Sequence, residues 1–316
     1  MANLFSITLV NVLSILSLVN ALPQLQSRNP LATRDDIPPI PPRPDNVGKE
    51  TFHGSQFQFF DQHGFVAGSP GVEAAPVFLF SRTQKIYDPC YPESAVVIGS
   101  NPPKPNPGTD GDKGTASVNP GADCTNPGTY NGAYTLGNPF PVYVGAAYCG
   151  DTWRVNYDLY YVHDGVMLEG HKHDWEGATV VFKKDPSGAD WWYRDSIIDN
   201  EHGWKNHYGW GDIITVNVDT GEFTDVKDET VGKRLNHPKV YVGFFSHSAF
   251  PDKDTSRQTI TATKDKSIAD DEYRSNDWWR LPRGGDMHLW SEINKDWKYG
   301  DADSTPPSNH DNMCGW

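Results

Sequence analysis

From about Tyr157 onward the chain is cut into short β-branched and aromatic runs, and this pattern limits its possible folds more than any other feature. Tyr157-Asp158-Leu159-Tyr160-Tyr161-Val162, Ala178-Thr179-Val180-Val181-Phe182, Trp191-Trp192-Tyr193, Ile213–Val218 and Val240–Phe245 read as strands. Such side chains pack well on a pleated surface, and most of the runs are bounded by Gly, Pro, Asp or Asn. Asp185-Pro186-Ser187-Gly188 and Asp219-Thr220-Gly221 read as turns. Helical periodicity is scarce, and Lys266–Asp277 reads as a surface helix. The composition agrees, with 29 Gly, 25 Pro, 11 Trp and 14 Tyr against 4 Met. The expected fold is mainly β, a single-domain β-sandwich with helices packed on the outside.

Residues 1–21 carry no charged side chain, are mostly apolar from Leu4 to Val19, and end in Val19-Asn20-Ala21. That is a small-residue cleavage pattern, so a signal peptide and a secreted, extracellular product are expected. Residues 22–48 include Pro38-Pro39-Ile40-Pro41-Pro42-Arg43-Pro44. This segment lacks the apolar residues of a core and reads as an extended, disordered proline-rich leader. The folded domain is expected over 49–316, beginning near Glu50. A second irregular stretch, Asn101–Gly121, is too long for an ordinary connection. With 41 acidic against 27 basic residues the formal charge is -14. No Lys/Arg cluster is present, so nucleic acid is a poor partner, as is an anionic bilayer engaged by charge alone. Cys90, Cys124, Cys149 and Cys314 form an even set in a secreted chain, which favours disulfides, and sequence leaves three pairings open.

Chemistry concentrates in Gly170-His171-Lys172-His173-Asp174-Trp175-Glu176. If a strand begins near His173, Asp174 and Glu176 share a face, because side chains alternate along a strand. Two neighbouring carboxylates repel unless a proton or cation sits between them. His171 lies at the mouth of that strand, and Asp164, across the turn at Asp164-Gly165, can close the site. Oxygen-rich sets of this kind suit Ca²⁺ or Mg²⁺, and the imidazole also permits Mn²⁺ or Zn²⁺. The competing reading is a set of surface ion pairs with Lys172 and its neighbours. His173 points away on a strand reading and is expected to be structural. His247, in Ser246-His247-Ser248, reads as a loop or packing residue, since no nucleophile elbow surrounds it. One tryptophan of each pair, Trp191-Trp192 and Trp278-Trp279, is expected in the core. His202, His207 and His237 read as scattered loop residues.

The heptapeptide closely resembles the Gly-His-Arg-His-Asp-Trp-Glu motif of the necrosis- and ethylene-inducing-peptide-like toxins, or NLPs, with Lys172 in place of arginine. Trp153–Asp164, Cys90-Tyr91-Pro92 with Cys124, His237–Tyr241 and Asn276–Trp279 are similar to other segments of that family, and the similarity runs from about Gly48 to the C-terminus. The resemblance implies an actinoporin- and fungal-lectin-like sandwich. It also implies a divalent cation, Ca²⁺ or Mg²⁺, on Asp164, His171, Asp174 and Glu176. It implies pairing of Cys90 with Cys124, which leaves Cys149 to Cys314. The implied activity is cytolytic: binding glycosylated inositol-phosphoceramide sphingolipids of plant plasma membranes, permeabilising them and inducing necrosis, with no bond broken and hence no enzyme. The altered Asp164–Gly170 loop and the second cysteine pair mark a divergent fungal member. A monomer is expected. The alternatives are a non-cytolytic, lectin-like glycan-binding protein and a metal-dependent hydrolase.

Overall fold

The computed structural model describes residues 40–42, 51–63, 68–82, 87–110, 121, 123–164, 170–201, 203–218, 226–254, 274–302 and 304–316. The signal peptide, nearly all of the proline-rich leader, the turns at Gly165 and Asp219–Gly221, His202 and most of the Lys266–Asp277 segment lie outside these residues. In chain order the elements begin with β1 (Thr51–His53), α1 (Gly54–His63), α2 (Pro70–Glu73), β2 (Val77–Phe80), β3 (Thr135–Leu136) and β4 (Val142–Tyr148). β5 (Thr152–His163), β6 (Lys172–Lys184), β7 (Trp191–Glu201), β8 (Trp204–Gly209), β9 (Thr215–Val216) and β10 (His237–Val242) follow. The remainder are β11 (Ala249–Phe250), β12 (Trp278–Arg280), β13 (Met287–Leu289) and α3 (Pro306–Asn312).

The strands form two sheets, as the β-sandwich reading requires. The first runs β1-β7-β6-β5-β4-β13, with β8 also on β7; the second runs β11-β10-β2-β12-β3, with β9 on β10. At the centre of the first sheet the antiparallel β5 and β6 are in register, with Val155, Tyr157, Leu159 and Tyr161 opposite Val180, Ala178, Glu176 and Asp174. This face meets the second layer: the Tyr157 hydroxyl donates to Gly71 O at 2.9 Å, and Tyr161 stacks on His247 from the β10–β11 loop. The opposite face is also covered, which explains why β5 and β6 read as nearly continuous apolar runs rather than clean alternations. Asn309 of α3 donates to Asp158 Oδ1 at 2.7 Å, Arg154 donates to Trp316 O at 2.9 Å, and Tyr143, Tyr160 and Tyr299 pack around Trp175. Gly177 keeps the central strands close, since a Cβ there would lie 2.0 Å from Tyr157 O.

Both disulfides form as the resemblance implies, Cys90–Cys124 and Cys149–Cys314. The Ile213–Val218 run forms the two residues of β9 and an isolated bridge from Ile214 to Val231, and residues 274–277 are not helical. Both tryptophans of each pair are buried, not one. His207 and His237 lie in strands β8 and β10, not in loops. No helix among the described residues is long and apolar enough to cross a membrane.

Candidate functional site

The heptapeptide sits where β6 leaves its loop beside the end of β5. Asp164 N donates to His171 O at 3.0 Å, closing the approach of the two chains. The Asp164 carboxylate answers by accepting from His171 N at 2.9 Å through Oδ1, while Oδ2 lies 3.4 Å from His171 Nε2. His171 Nδ1 is 2.8 Å from His173 O. A carbonyl only accepts, so Nδ1 carries a proton and Nε2 is the nitrogen that faces the carboxylate oxygen. Nε2 and that oxygen need a proton or a cation between them. A histidine that donates one ring N–H to a backbone carbonyl and offers the other nitrogen is the usual form of a metal-ligating imidazole.

Asp174 lies on the inner face of β6. Its Oδ2 accepts from His247 Nδ1 at 2.8 Å and its Oδ1 accepts from Trp175 N at 2.9 Å. Glu176 follows two residues later on the same face, opposite Leu159. Asp164, Asp174 and Glu176 are 4 %, 6 % and 3 % exposed, so all three carboxyl groups are removed from water. Burial, joined by the charge of Asp174, pushes the Asp164 carboxyl up to about 6, against the pull of His171 and His247. For His171, burial favours the neutral ring, but Asp164 and Asp174 outweigh it and raise its pKa. Asp164, His171 and Asp174 thus act on one another electrostatically as a single cluster.

The reading of these residues as surface ion pairs with Lys172 fails. Lys172 pairs with Asp110 at 3.3 Å, and the carboxylates are buried. His173 packs on the other face of β6, beside Tyr160. Its backbone is left-handed at φ 62°, its ring lies 2.7 Å from the Tyr160 hydroxyl, and Gly108 and Gly300 approach closely on either side. His247 is the residue that sequence reasoning passed over. It has a left-handed backbone, φ 56°, stacks on Tyr161 with ring centroids 3.8 Å apart, and aims Nδ1 at Asp174. No local spacing signals this contact, which spans 73 residues.

Among the described residues, the one group of three metal-type donor atoms lying within 4.8 Å of one another belongs to Cys90, Cys124 and His163. The ligand atoms of Asp164, His171, Asp174 and Glu176 are more widely spread than that. In the oxidised protein the two cysteine sulfurs are bonded to each other and do not act as thiolate ligands.

The fold and site define a disulfide-bonded β-sandwich carrying a buried carboxylate–histidine cluster at the meeting of its two sheets. No family model matches the chain, and no curated protein does. The solved structures that it resembles include NLP structures. One is the non-toxic HaNLP3 protein, at 18% identity over 74% of this chain and 82% of that chain, TM-score 0.38. Another is NLPPya in complex with glucosamine, at 13% identity over 90% and 98%, TM-score 0.42. A third is Necrosis and Ethylene inducing Protein 2 from the causal agent of cocoa's Witches Broom disease, at 16% identity over 72% and 76%, TM-score 0.39. Likeness at this level says nothing of activity, and what the chain can do is read from its own side chains.

Proposed function

We propose that this protein is a secreted, cation-dependent cytolytic toxin that docks on sugar-bearing sphingolipid head groups of plant plasma membranes and permeabilises them without breaking a bond in the lipid. The observation that carries this reading is the buried cluster of the heptapeptide. Three carboxyl groups are buried there, and Nε2 of His171 faces Asp164 Oδ2 at 3.4 Å. Asp164, His171, Asp174 and Glu176 would hold Ca²⁺ or Mg²⁺, directly or through water. The bound ion would offset the repulsion among the carboxylates and offer a coordination position to sugar hydroxyl groups. A protein of net charge -14 has little attraction for an anionic bilayer, so a cation held by these residues would give it a route to an anionic, glycosylated lipid. The two disulfides are consistent with an extracellular setting.

Calorimetric titration with Ca²⁺ and Mg²⁺, paired with leakage from vesicles of plant glycosylated inositol-phosphoceramide, tests this. Asp174→Ala and Glu176→Ala are expected to lose cation binding and leakage together while retaining the far-UV circular dichroism of the wild type. Full leakage in excess chelator would remove the metal from the activity. Binding of glucosamine or lipid head groups without leakage, and without necrosis on leaf infiltration, would assign the chain to the non-cytolytic, lectin-like class instead. Turnover of a chromogenic ester or glycoside, lost in Asp174→Ala, would make it a hydrolase.

A further inference from the structure

The Cys90–Cys124 disulfide lies against an imidazole. His163, the last residue of β5, places Nε2 3.2 Å from Cys124 Sγ, and both sulfurs and a ring nitrogen fall within 4.8 Å of one another. The two cysteines differ in access. Cys90 is fully buried, whereas Cys124 is partly exposed and lines a cavity of about 170 Å³ with Asp88, Thr125 and Asn126. The backbone beside the bond is independently joined: Tyr91 and Thr125 form an antiparallel bridge, and Thr125 N donates to Glu93 Oε1 at 2.7 Å. Breaking the sulfur–sulfur bond therefore leaves the two side chains facing each other. The second disulfide has no such surroundings. Cys314 Sγ lies 3.8 Å from the Tyr148 carbonyl, and no donor group of this kind includes it among the described residues.

We propose that Cys90, Cys124 and His163 form a redox-gated site for a thiolate-preferring divalent cation of the zinc class, closed in the oxidised protein and opened by thiols. A small thiol attacks the accessible Cys124 sulfur, forming a mixed disulfide and releasing the Cys90 thiolate. A second thiol attacks the sulfur contributed by the first, leaving as a small-molecule disulfide and freeing the Cys124 thiolate. Two thiols are oxidised, two protein sulfurs are reduced, and the cation then replaces the protons of both cysteines. Zinc bonds of about 2.3 Å to sulfur and about 2.0–2.1 Å to nitrogen hold tetrahedral donors roughly 3.4–3.8 Å apart. Three protein donors leave the fourth position for water from the adjoining cavity. This site is distinct from the heptapeptide cluster and does not depend on its function.

The test uses the full chain, reduced with a dithiol, freed of it by anaerobic desalting and titrated with Co²⁺. Reduced wild type is expected to bind one Co²⁺ with sulfur-to-cobalt charge-transfer absorption, and the oxidised protein to show none. Cys149→Ser/Cys314→Ser should keep the band, Cys90→Ser/Cys124→Ser should lose it, and His163→Gln should weaken binding at least tenfold and shift the absorption. If reduction unfolds the chain, Zn²⁺ is expected to restore its circular dichroism. Absence of the charge-transfer band, failure of Zn²⁺ to restore an unfolded reduced chain, a band that depends on Cys149 and Cys314, or unchanged affinity in His163→Gln would each overturn the proposal.

Discussion

Asp174 is held from two sides: its own strand supplies Trp175 N, and a distant loop supplies His247. The stacking of His247 on Tyr161 fixes the ring plane, and the hydrogen bond fixes the carboxylate. Partners that orient a metal-ligating group typically contribute about 10–100-fold to cation affinity. On the proposed cation site, His247→Ala is therefore expected to weaken Ca²⁺ binding by roughly that factor, with Asp174→Asn more severe; calorimetry that finds His247→Ala unchanged would exclude this support role. The shared face of Asp174 and Glu176 was legible from strand alternation, whereas the left-handed backbone of His173 was not. The pairing of Asp164 with His171 was legible as two residues flanking one turn. His247 was not, because its contact depends on how the second sheet docks on the first, which no local spacing encodes.

At the scale of elements, the second sheet is fastened by a polar knot. Glu229 Oε1 accepts from the Tyr134 and Tyr241 hydroxyls and from Asn276. Lys239, fully buried on β10, reaches the same oxygen at 3.5 Å and lies over the Tyr134 ring. Removing the carboxylate leaves a buried ammonium without its counter-charge. Glu229→Ala is therefore expected to cost about 3 kcal/mol in urea unfolding, the low end for such a change because Glu229 is itself a quarter exposed. A loss under about 0.5 kcal/mol would mean that Lys239 is satisfied elsewhere. The long strands β5, β6 and β7 were readable because each carries a run of β-branched and aromatic residues. The two-residue strands β3 and β11 were not, since two paired residues make no run, while β9 lay within the longer Ile213–Val218 run. The buried pairs Trp191-Trp192 and Trp278-Trp279 show why one tryptophan of each was expected at the surface: alternation predicts one exposed face, but here both faces are covered.

For the whole molecule, two buried groups oppose each other as pH changes. Burial pushes the Asp158 carboxyl up to about 7, so the folded state holds this proton more tightly than the unfolded chain does. Its contribution is complete below about pH 4 and is lost as pH rises through about 7. Burial depresses His237 to about 4, so its contribution is complete above about pH 6.5 and is lost as pH falls through about 4. Between these limits the two slopes oppose, and Asp164, raised to about 6, adds to the slope of Asp158. Asp158→Asn, which still accepts from Asn309, should make stability rise more steeply, or fall less steeply, with pH than in the wild type. His237→Gln should leave it falling, and melting curves of either variant that parallel the wild type would refute the assignment. The order of the strands also has a consequence in time. β2 pairs with β10, and β3 with β12, so the second sheet cannot close until segments from opposite ends of the domain meet. Such topologies fold on scales of about milliseconds to seconds, and Cys149–Cys314 already joins residues 165 positions apart. A denatured chain that keeps this bond has the segment from the end of β4 to the C-terminus already closed into a loop, and it should regain native fluorescence faster than the fully reduced chain.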